Sequence, residues 1–178
     1  MAGRIILVTG GSCTGKSTVR RELERRGVRT VDGDRDLAYQ GDPQTGERLP
    51  TSVTARPPHW HHLWDVTRAR DLAVADDGDI VVVCGDARNL DEVLDVFDEI
   101  VVLQIDETTL WRRLESRPAT EFGATPGERD LVLRLHREPD RWPSRSTVID
   151  ATRPVEDVVD DLLRTTSDGS DPTEGRLL

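Results

Sequence analysis

Short apolar runs alternate along this chain with longer stretches of charged residues. Such runs predict buried parallel strands, because a strand covered on both faces is apolar at nearly every position. The stretches between them place apolar residues three or four positions apart, as in helices that pack one face against a sheet. The pattern predicts a three-layer α/β fold with about five parallel strands and helices on both faces. The predicted strands are residues 5–8, 28–31, 79–84 (the most apolar, and therefore expected at the centre), 100–105 and 146–149.

Capping residues mark where several helices begin. A helix is predicted over residues 18–26, and Asp106 can cap a second helix that starts at Glu107. Residues 125–128 (TPGE) have the capping-box pattern with proline in the first turn, so a further helix begins there. Residues 117–128 are therefore predicted to form a small helical lid. Helical spacing also recurs over residues 90–97 and 155–163.

One domain is predicted over residues 1–164, because a chain of 178 residues is long enough for a single core. Residues 40–58 show no periodicity and predict a long loop. The polar stretch 165–178 predicts a disordered tail.

Charge and composition narrow the class of partner. The net charge of −10 argues against nucleic-acid binding, which depends on a basic surface. No apolar stretch is long enough to span a membrane, and no signal peptide precedes the first strand. Two cysteines, Cys13 and Cys84, are too few for a disulfide framework. We expect a cytoplasmic monomer or homodimer whose partner is a small molecule, not nucleic acid or a membrane.

The strongest motif directly follows the first strand. Residues 10–17, GGSCTGKS, match G-x-x-x-x-G-K-[ST] at every position. In this motif glycines let backbone N–H groups turn toward an anion, and the next helix points its positive end at the same place. Lys16, the only lysine among 24 basic residues, is expected to reach the β- and γ-phosphates, and Ser17 to ligate Mg²⁺. The predicted phosphate-binding residues are Gly10, Gly11, Ser12, Cys13, Thr14, Gly15, Lys16, Ser17 and Thr18.

Carboxylates follow two of the predicted strands. Asp32 and Asp34 follow the second strand, at the edge where open α/β sheets bind ligands. They could hold Mg²⁺ through water and take a proton from an acceptor hydroxyl; the alternative is a plain turn, which Asp-Gly-Asp suits. Asp86 follows the 79–84 strand at the Walker-B position and is a further candidate magnesium ligand. Gly85 beside it would let a substrate approach the backbone.

Arginines flank the predicted lid. Arg113 and Arg117 are four residues apart and share a helix face, and Arg129 follows the lid. We interpret these arginines as phosphate ligands on a closing lid. The alternative is that they are exposed and pair with Glu115 and Glu121.

The segment 59–65, HWHHLWD, leads into a helix that continues to about Ala75. Its histidines match no common zinc spacing. Aromatic residues beside histidines could form the wall of an acceptor pocket. Trp64 could equally be a core residue of a helix packed on the sheet.

Three features carry a resemblance to a known group of enzymes: the phosphate-binding motif, the Asp32-x-Asp34 strand end and the pattern LxxRLxxR over residues 110–117. With them, residues 4–164 resemble the P-loop small-molecule kinases, the group of nucleoside, nucleoside monophosphate, shikimate and gluconate kinases. Residues 84–106 and 117–123 also resemble actinobacterial-type proteins described as nucleoside-kinase-like ATP-binding proteins.

The resemblance implies roles for individual residues. Asp32 would help to hold Mg²⁺, and Asp34 would face the acceptor hydroxyl as a base or an orienting group. Arg113 would lie over the adenine, and Arg117 on the transferring phosphate. The loop against the base would be residues 150–154, through Asp150, Arg153 and Pro154.

These observations predict an ATP-dependent phosphotransferase that uses ATP and Mg²⁺ and transfers the γ-phosphate to a small molecule, with a nucleoside or nucleotide as the first choice. The alternatives are a kinase for the hydroxyl of an antibiotic, sugar or vitamin precursor, and a non-catalytic regulatory ATP-binding module. The predicted catalytic residues are Lys16, Asp34 and Arg117, and the predicted acceptor contacts are Asp34, Trp64, Gly85 and Arg88.

The sequence differs from two known kinase families in one feature each, and it excludes one class of nucleotide-binding protein. Shikimate kinases carry a glycine run after the central strand, where this chain has Gly85-Asp86-Ala87. The monophosphate-binding arginine segment of adenylate kinases is missing between residues 34 and 79. A GTPase switch is excluded, because its Asn-Lys-x-Asp motif would need a second lysine.

Overall fold

The structure is a computed structural model that describes residues 3–50, 61–74, 80–138 and 142–167. Two short non-α segments, a π-helical turn over Gly33–Leu37 and a 3₁₀ helix over Leu90–Val96, accompany the regular elements. In chain order those are β1 Arg4–Gly10, α1 Lys16–Arg25, β2 Arg29–Asp32, β3 Ala38–Gln40, β4 His62–Trp64, α2 Val66–Val74, β5 Ile80–Cys84, β6 Glu99–Gln104, α3 Glu107–Glu115, α4 Pro126–His136, β7 Thr147–Asp150 and α5 Val155–Ser167.

Five strands form one parallel sheet in the order β2-β5-β1-β6-β7. β1 is the central strand, and β5, expected at the centre because it is the most apolar, lies beside it. All five strands run the same way, so their carboxyl ends meet at one edge. That edge carries the turn after β1, the turn after β2, the residues after β5 and the loop after β7.

Apolar side chains cover both faces of this sheet. Along β1, Ile6 and Val8 lie in the core layer that includes α1, α3, α4 and α5. Ile5 and Leu7 lie in the opposite layer, with residues of α2 and the 3₁₀ helix. The three-layer α/β fold with a five-stranded parallel sheet is therefore confirmed.

A second, two-stranded sheet was not expected. Antiparallel β3 and β4 form it, and an isolated bridge joins Gly41 to Arg48. The predicted loop over residues 40–58 thus begins within paired structure, and its residues 51–58 lie outside the described part of the chain. The pairing joins segments more than twenty residues apart, which a local pattern cannot reveal.

Two helix predictions change in detail. Residues 90–96 form a 3₁₀ helix rather than an α-helix, although Val93 and Phe97 face the core as the spacing predicts. α5 continues to Ser167, so the first residues of the predicted tail are helical; residues 168–178 lie outside the described chain. Among the described residues, none of the helices is both long enough and apolar enough to cross a membrane.

Candidate active site

The turn between β1 and α1 forms a tight loop around a single ammonium group. Lys16 Nζ donates to the carbonyl oxygens of Gly10, at 2.7 Å, and Gly11, at 3.0 Å. Gly10 has φ of +150°, and a Cβ there would lie 2.6 Å from the Leu103 carbonyl oxygen, so only glycine fits. Cys13 is the one non-glycine residue with positive φ, at 68°, among those that the structure describes. The loop therefore has the irregular backbone that turns N–H groups toward an anion.

This loop opens into a cavity of about 850 Å³, a size common for small-molecule sites. Predicted site residues from five parts of the chain meet there. The predicted site residues that do not line the cavity are Gly10, Gly11, Asp32, Trp64, Gly85, Arg88, Asp150 and Pro154. Those that do are Ser12, Cys13, Thr14, Gly15, Lys16, Ser17, Thr18, Asp34, Asp86, Arg113, Arg117 and Arg153.

Asp34 lines the same cavity as the loop and lies on the π-helical turn after β2. Its Oδ1 accepts from the backbone N–H of Asp86 at 3.0 Å and lies 3.3 Å from His62 Nε2. Burial opposes ionisation, but the His62 hydrogen bond, the Lys16 charge and the Asp86 N–H outweigh it, so the pKa of Asp34 lies below its ordinary value. The side chain is 46% exposed, so a ligand in the cavity can reach this carboxylate.

The candidate magnesium ligands separate into two groups. Ser17, in the first turn of α1, and Asp86, after β5, both line the cavity. Asp32 instead forms an ion pair with Arg20 of α1 at 3.4 Å. The described residues contain no cluster of three or more His, Cys, Asp or Glu side chains suited to a metal ion. His59, part of the histidine-rich segment, lies outside them.

Arg113, in α3, and Arg117, two residues beyond its end, both contact the phosphate-binding loop. The prediction that they share a helix face is wrong for Arg117, because α3 ends at Glu115. Arg113 donates to the carbonyl oxygens of Cys13, at 3.0 Å, and Ala151, at 2.8 Å. Arg117 donates to Ser12 Oγ at 3.2 Å and to the Phe122 carbonyl oxygen. Both therefore bring positive charge to the cavity.

The alternative interpretation, that these arginines pair with nearby glutamates, also holds in part. Arg117 Nε lies 3.3 Å from Glu121 Oε2. Arg129 donates to the Gly123 carbonyl oxygen at 3.3 Å and does not line the cavity. The capping box that starts α4 is present, with Thr125 and Glu128 bonded reciprocally. The segment 117–125 thus forms part of the cavity wall, to which it contributes Arg117, Thr120, Glu121 and Phe122.

The loop after β7 is held by its own side chains. Asp150 Oδ1 accepts from the N–H and the hydroxyl of Thr152, at 2.9 and 2.7 Å, and the Thr152 bonds are the main cause that lowers the pKa of Asp150. Arg153 pairs with Asp161 of α5 while lining the cavity. Of the three contacts predicted here, the structure brings only Arg153 to the cavity.

Three of the predicted acceptor contacts do not line the cavity but lie next to residues that do. They are Trp64, Gly85 and Arg88. Trp64 is fully buried, which agrees with the core alternative. A Cβ on Gly85 would lie 2.7 Å from Trp64 Cζ2 and 2.8 Å from Asp34 Oδ1, so Gly85 leaves room for these two side chains. The exposed Arg88 donates its backbone N–H to the His62 carbonyl oxygen at 3.0 Å, which ties β4 to the main sheet.

Several residues that line the cavity were not predicted as site residues, and Gln40 and His62 are two of them. They lie opposite each other on β3 and β4. His62 belongs to the histidine-rich segment that drew attention, but nothing in the sequence marks Gln40. Only the pairing of the two strands brings both residues to Asp34.

Comparison with known proteins gives a family and a set of structural neighbours. A family model described as AAA domain matches residues 6–134. No curated protein matches the sequence. A shikimate kinase from Acinetobacter baumannii, solved with shikimate, is 15% identical with a TM-score of 0.62, and the alignment covers 94% of this chain and 96% of that one.

Two further neighbours also cover more than nine-tenths of the chain. A sugar kinase from Janibacter sp. HTCC2649, solved without ligand, is 15% identical with a TM-score of 0.56, covering 94% of this chain and 96% of that one. A deoxyadenosine kinase from M. mycoides, solved with dATP, is 16% identical with a TM-score of 0.53, covering 91% of this chain and 98% of that one. At these identities the likeness establishes the fold.

Proposed function

This chain belongs to the AAA domain family and has the fold of the P-loop small-molecule kinases, and we propose that it is an ATP-dependent phosphotransferase. The γ-phosphate would pass to a small molecule, with a nucleoside or nucleotide as the first choice. One observation carries this proposal: an ionised carboxylate, Asp34, lines the same cavity as the phosphate-binding loop.

The phosphate-binding end fits ATP and Mg²⁺ chemically. Lys16 already bonds to two carbonyl oxygens of the loop, and it is placed to exchange them for phosphate oxygens. Arg113 of α3 and Arg117, just beyond its end, add positive charge, which a triphosphate requires. Ser17 and Asp86 supply the hard oxygen ligands that Mg²⁺ takes together with phosphates and water. Bound Mg²⁺ would neutralise charge on the phosphates; Asp32 could contribute only after leaving Arg20.

The acceptor end supplies a base. Since the pKa of Asp34 is lowered, the carboxylate is ionised at neutral pH and can take the proton of an attacking hydroxyl. The segment 117–125 lines the same cavity, and its closure over bound ATP would keep water from the γ-phosphate.

The test is ADP release by the purified protein with ATP·Mg²⁺, measured alone and with pooled nucleosides, nucleoside monophosphates, sugars or aminoglycosides. We expect at least one pool to raise ADP release well above the rate without acceptor. Tight ATP binding with no stimulation by any pool would contradict the proposal and favour a regulatory ATP-binding module.

Asp34→Asn separates the acceptor role from ATP binding. Removing the base should lower stimulated ADP release by about 10² to 10⁴-fold, the usual contribution of general-base catalysis. ATP affinity, measured by isothermal titration calorimetry, should change little, because Asp34 belongs to the turn after β2 and not to the phosphate-binding loop. A loss confined to ATP affinity would exclude the acceptor role.

A further inference from the structure

The helix α1 borders the cavity with its first turn and contacts different elements on its two sides. On one side Arg20 forms an ion pair with Asp32 at 3.4 Å, and Asp32 ends β2, directly before the turn that carries Asp34. On the other side Arg26 pairs with Asp160 of α5, the helix that follows the loop predicted to lie against the base. The β2 side of α1 therefore leads to the acceptor end of the cavity.

Arg21 lies on the β2 side of this helix. It shares a helix face with Ser17, four residues before it, and Glu24, three residues after it. Glu24 accepts from the hydroxyl of Thr30, in β2, at 2.7 Å. Arg21 Nε donates to the Ser17 carbonyl oxygen at 3.2 Å, so the side chain runs back toward the start of α1, where it lines the cavity.

The charge of Arg21 is not neutralised by the described part of the chain. Its one hydrogen bond there is to the Ser17 carbonyl oxygen, and it forms no ion pair with a described carboxylate. Of the other arginines that line the cavity, Arg117 and Arg153 pair with acidic side chains, and Arg113 bonds to two carbonyl oxygens. An exposed guanidinium in this position is available to an anionic group of a ligand.

The triphosphate has other partners for its charge. They are the N–H groups of the phosphate-binding loop, Lys16, and the two arginines that contact the loop directly, Arg113 and Arg117. Arg21 instead bonds to a carbonyl oxygen of α1 and lies on the side that leads to Asp34. An anionic group of the acceptor therefore matches Arg21 better than the phosphates of ATP do.

We propose that Arg21 binds an anionic group of the acceptor, and that the acceptor is an alcohol that carries a carboxylate or a phosphate besides its reacting hydroxyl. This inference rests on the proposed kinase activity. The hydroxyl meets Asp34, and the two terminal nitrogens of Arg21, which no described residue uses, donate to the oxygens of the anion. Arg21 is thus a specificity residue for the acceptor and not for ATP.

The transfer step balances without a proton from Arg21. The acceptor oxygen forms a bond to the γ-phosphorus, the bond from that phosphorus to the ADP oxygen breaks, and ADP leaves with the electron pair. The hydroxyl proton passes to Asp34 and then to solvent. Because the anionic group does not react, loss of Arg21 should raise the acceptor KM and leave kcat nearly unchanged.

ADP release with matched pools tests the charge of the acceptor. The neutral pools contain sugars or nucleosides, and the acidic pools contain sugar acids, sugar monophosphates or nucleoside monophosphates. We expect an acidic pool to stimulate ADP release about tenfold more than its neutral counterpart at equal concentration. Stimulation by sugar acids alone identifies a carboxylate, and stimulation by monophosphates alone identifies a phosphate. Equal or greater stimulation by the neutral pools would overturn the inference and leave the kinase proposal standing.

Arg21→Gln tests the residue itself. The KM for the stimulating acidic acceptor should rise about 10- to 100-fold, because a hydrogen-bonded charge pair is lost, while ATP affinity stays near that of the wild type. Arg21→Lys keeps the charge but not the paired donors and should recover part of the acceptor affinity. An unchanged acceptor KM in Arg21→Gln, or a loss confined to ATP affinity, would overturn the assignment.

Arg134→Gln is the matched control. Arg134 is an exposed arginine of α4 that does not line the cavity and forms no ion pair with a described carboxylate. Its substitution removes the same charge from the molecule and should leave the acceptor KM unchanged. A rise equal to that of Arg21→Gln would show an effect of net charge alone and would overturn the assignment.

A binding readout covers failure of the kinase proposal itself. With the nonhydrolysable analogue AMP-PNP and Mg²⁺ bound, the Arg21 Nε–H signal, identified by its absence in Arg21→Lys, should shift in ¹⁵N NMR spectra when an acidic pool is added. A shift without stimulated ADP release would retain the anion site and reject the kinase. No shift with any acidic pool, or an equal shift with a neutral pool, would reject the site.

Discussion

Gly85 determines how closely Asp34 can approach the sheet. It lies between Trp64 and Asp34, and a single added carbon would come within 3.0 Å of both side chains. The sequence suggested that a small residue here would let substrate approach the backbone. In the structure the space is filled by the protein itself, so Gly85 acts through the position of Asp34.

Gly85→Ala should therefore displace Asp34. We expect stimulated ADP release to fall, and the free energy of unfolding to fall by about 1–3 kcal/mol because the site is overpacked. Gly127→Ala in α4 is the matched control, since a Cβ there meets no atom within 4 Å; its stability should be unchanged or higher by up to about 1 kcal/mol. Denaturant unfolding and ADP release give the two readouts, and wild-type ADP release by Gly85→Ala would refute the packing argument.

At the scale of the element, α1 connects the phosphate-binding loop to the rest of the molecule. Several of its arginines pair with glutamates of the same helix. Glu22 accepts from Arg25 and Arg26, at 2.6 and 2.8 Å, and Arg26 also pairs with Asp160 of α5. The ion pairs of Arg26 with Glu22 and Asp160 therefore join α1 to α5.

The contribution of the Glu22 ion pairs to the stability of the fold should depend on pH. Hydrogen bonds from Arg25 and Arg26 lower the pKa of Glu22 to about 2 in the folded chain, against an ordinary value of 4.5. The stabilisation is therefore complete above about pH 4.5 and is lost as the pH falls toward 2. Glu22→Gln should lower the Tm at pH 7, and the difference from wild type should shrink on acidification.

Glu115→Gln, at an exposed glutamate of α3, is the matched control and should not change the Tm. Thermal unfolding followed by circular dichroism at several pH values makes the measurement. A difference between Glu22→Gln and wild type that persists unchanged at pH 2 would contradict the role of the ionised carboxylate.

The helices and strands that the sequence predicted correctly depend on residues that are close together in the chain. Continuous apolar runs predicted five strands, and a capping box predicted the start of α4, because both depend on near neighbours. The phosphate-binding loop was predictable for the same reason. Pairing of β3 with β4, the Asp32–Arg20 ion pair and the burial of Trp64 depend on residues distant in sequence, so no local pattern specified them.

At the scale of the whole molecule, a single edge of the sheet explains why the site forms. Parallel strands bring the loop after β1, the turn after β2 and Asp86 after β5 together at their carboxyl ends. The sequence could predict this convergence from the strand order along the chain. It could not predict that an added hairpin would bring Gln40 and His62 to the same cavity.

The most direct test of the account follows the γ-phosphate itself. The protein is incubated with ATP labelled with ³²P at the γ-position, Mg²⁺ and the acceptor pool that raises ADP release, and the labelled products are separated. We predict one labelled acceptor molecule for each ADP formed, and a loss of about 10²-fold or more in Lys16→Ala, whose folding is checked by circular dichroism. Label found only in inorganic phosphate, at a rate that no acceptor changes, would contradict the central claim.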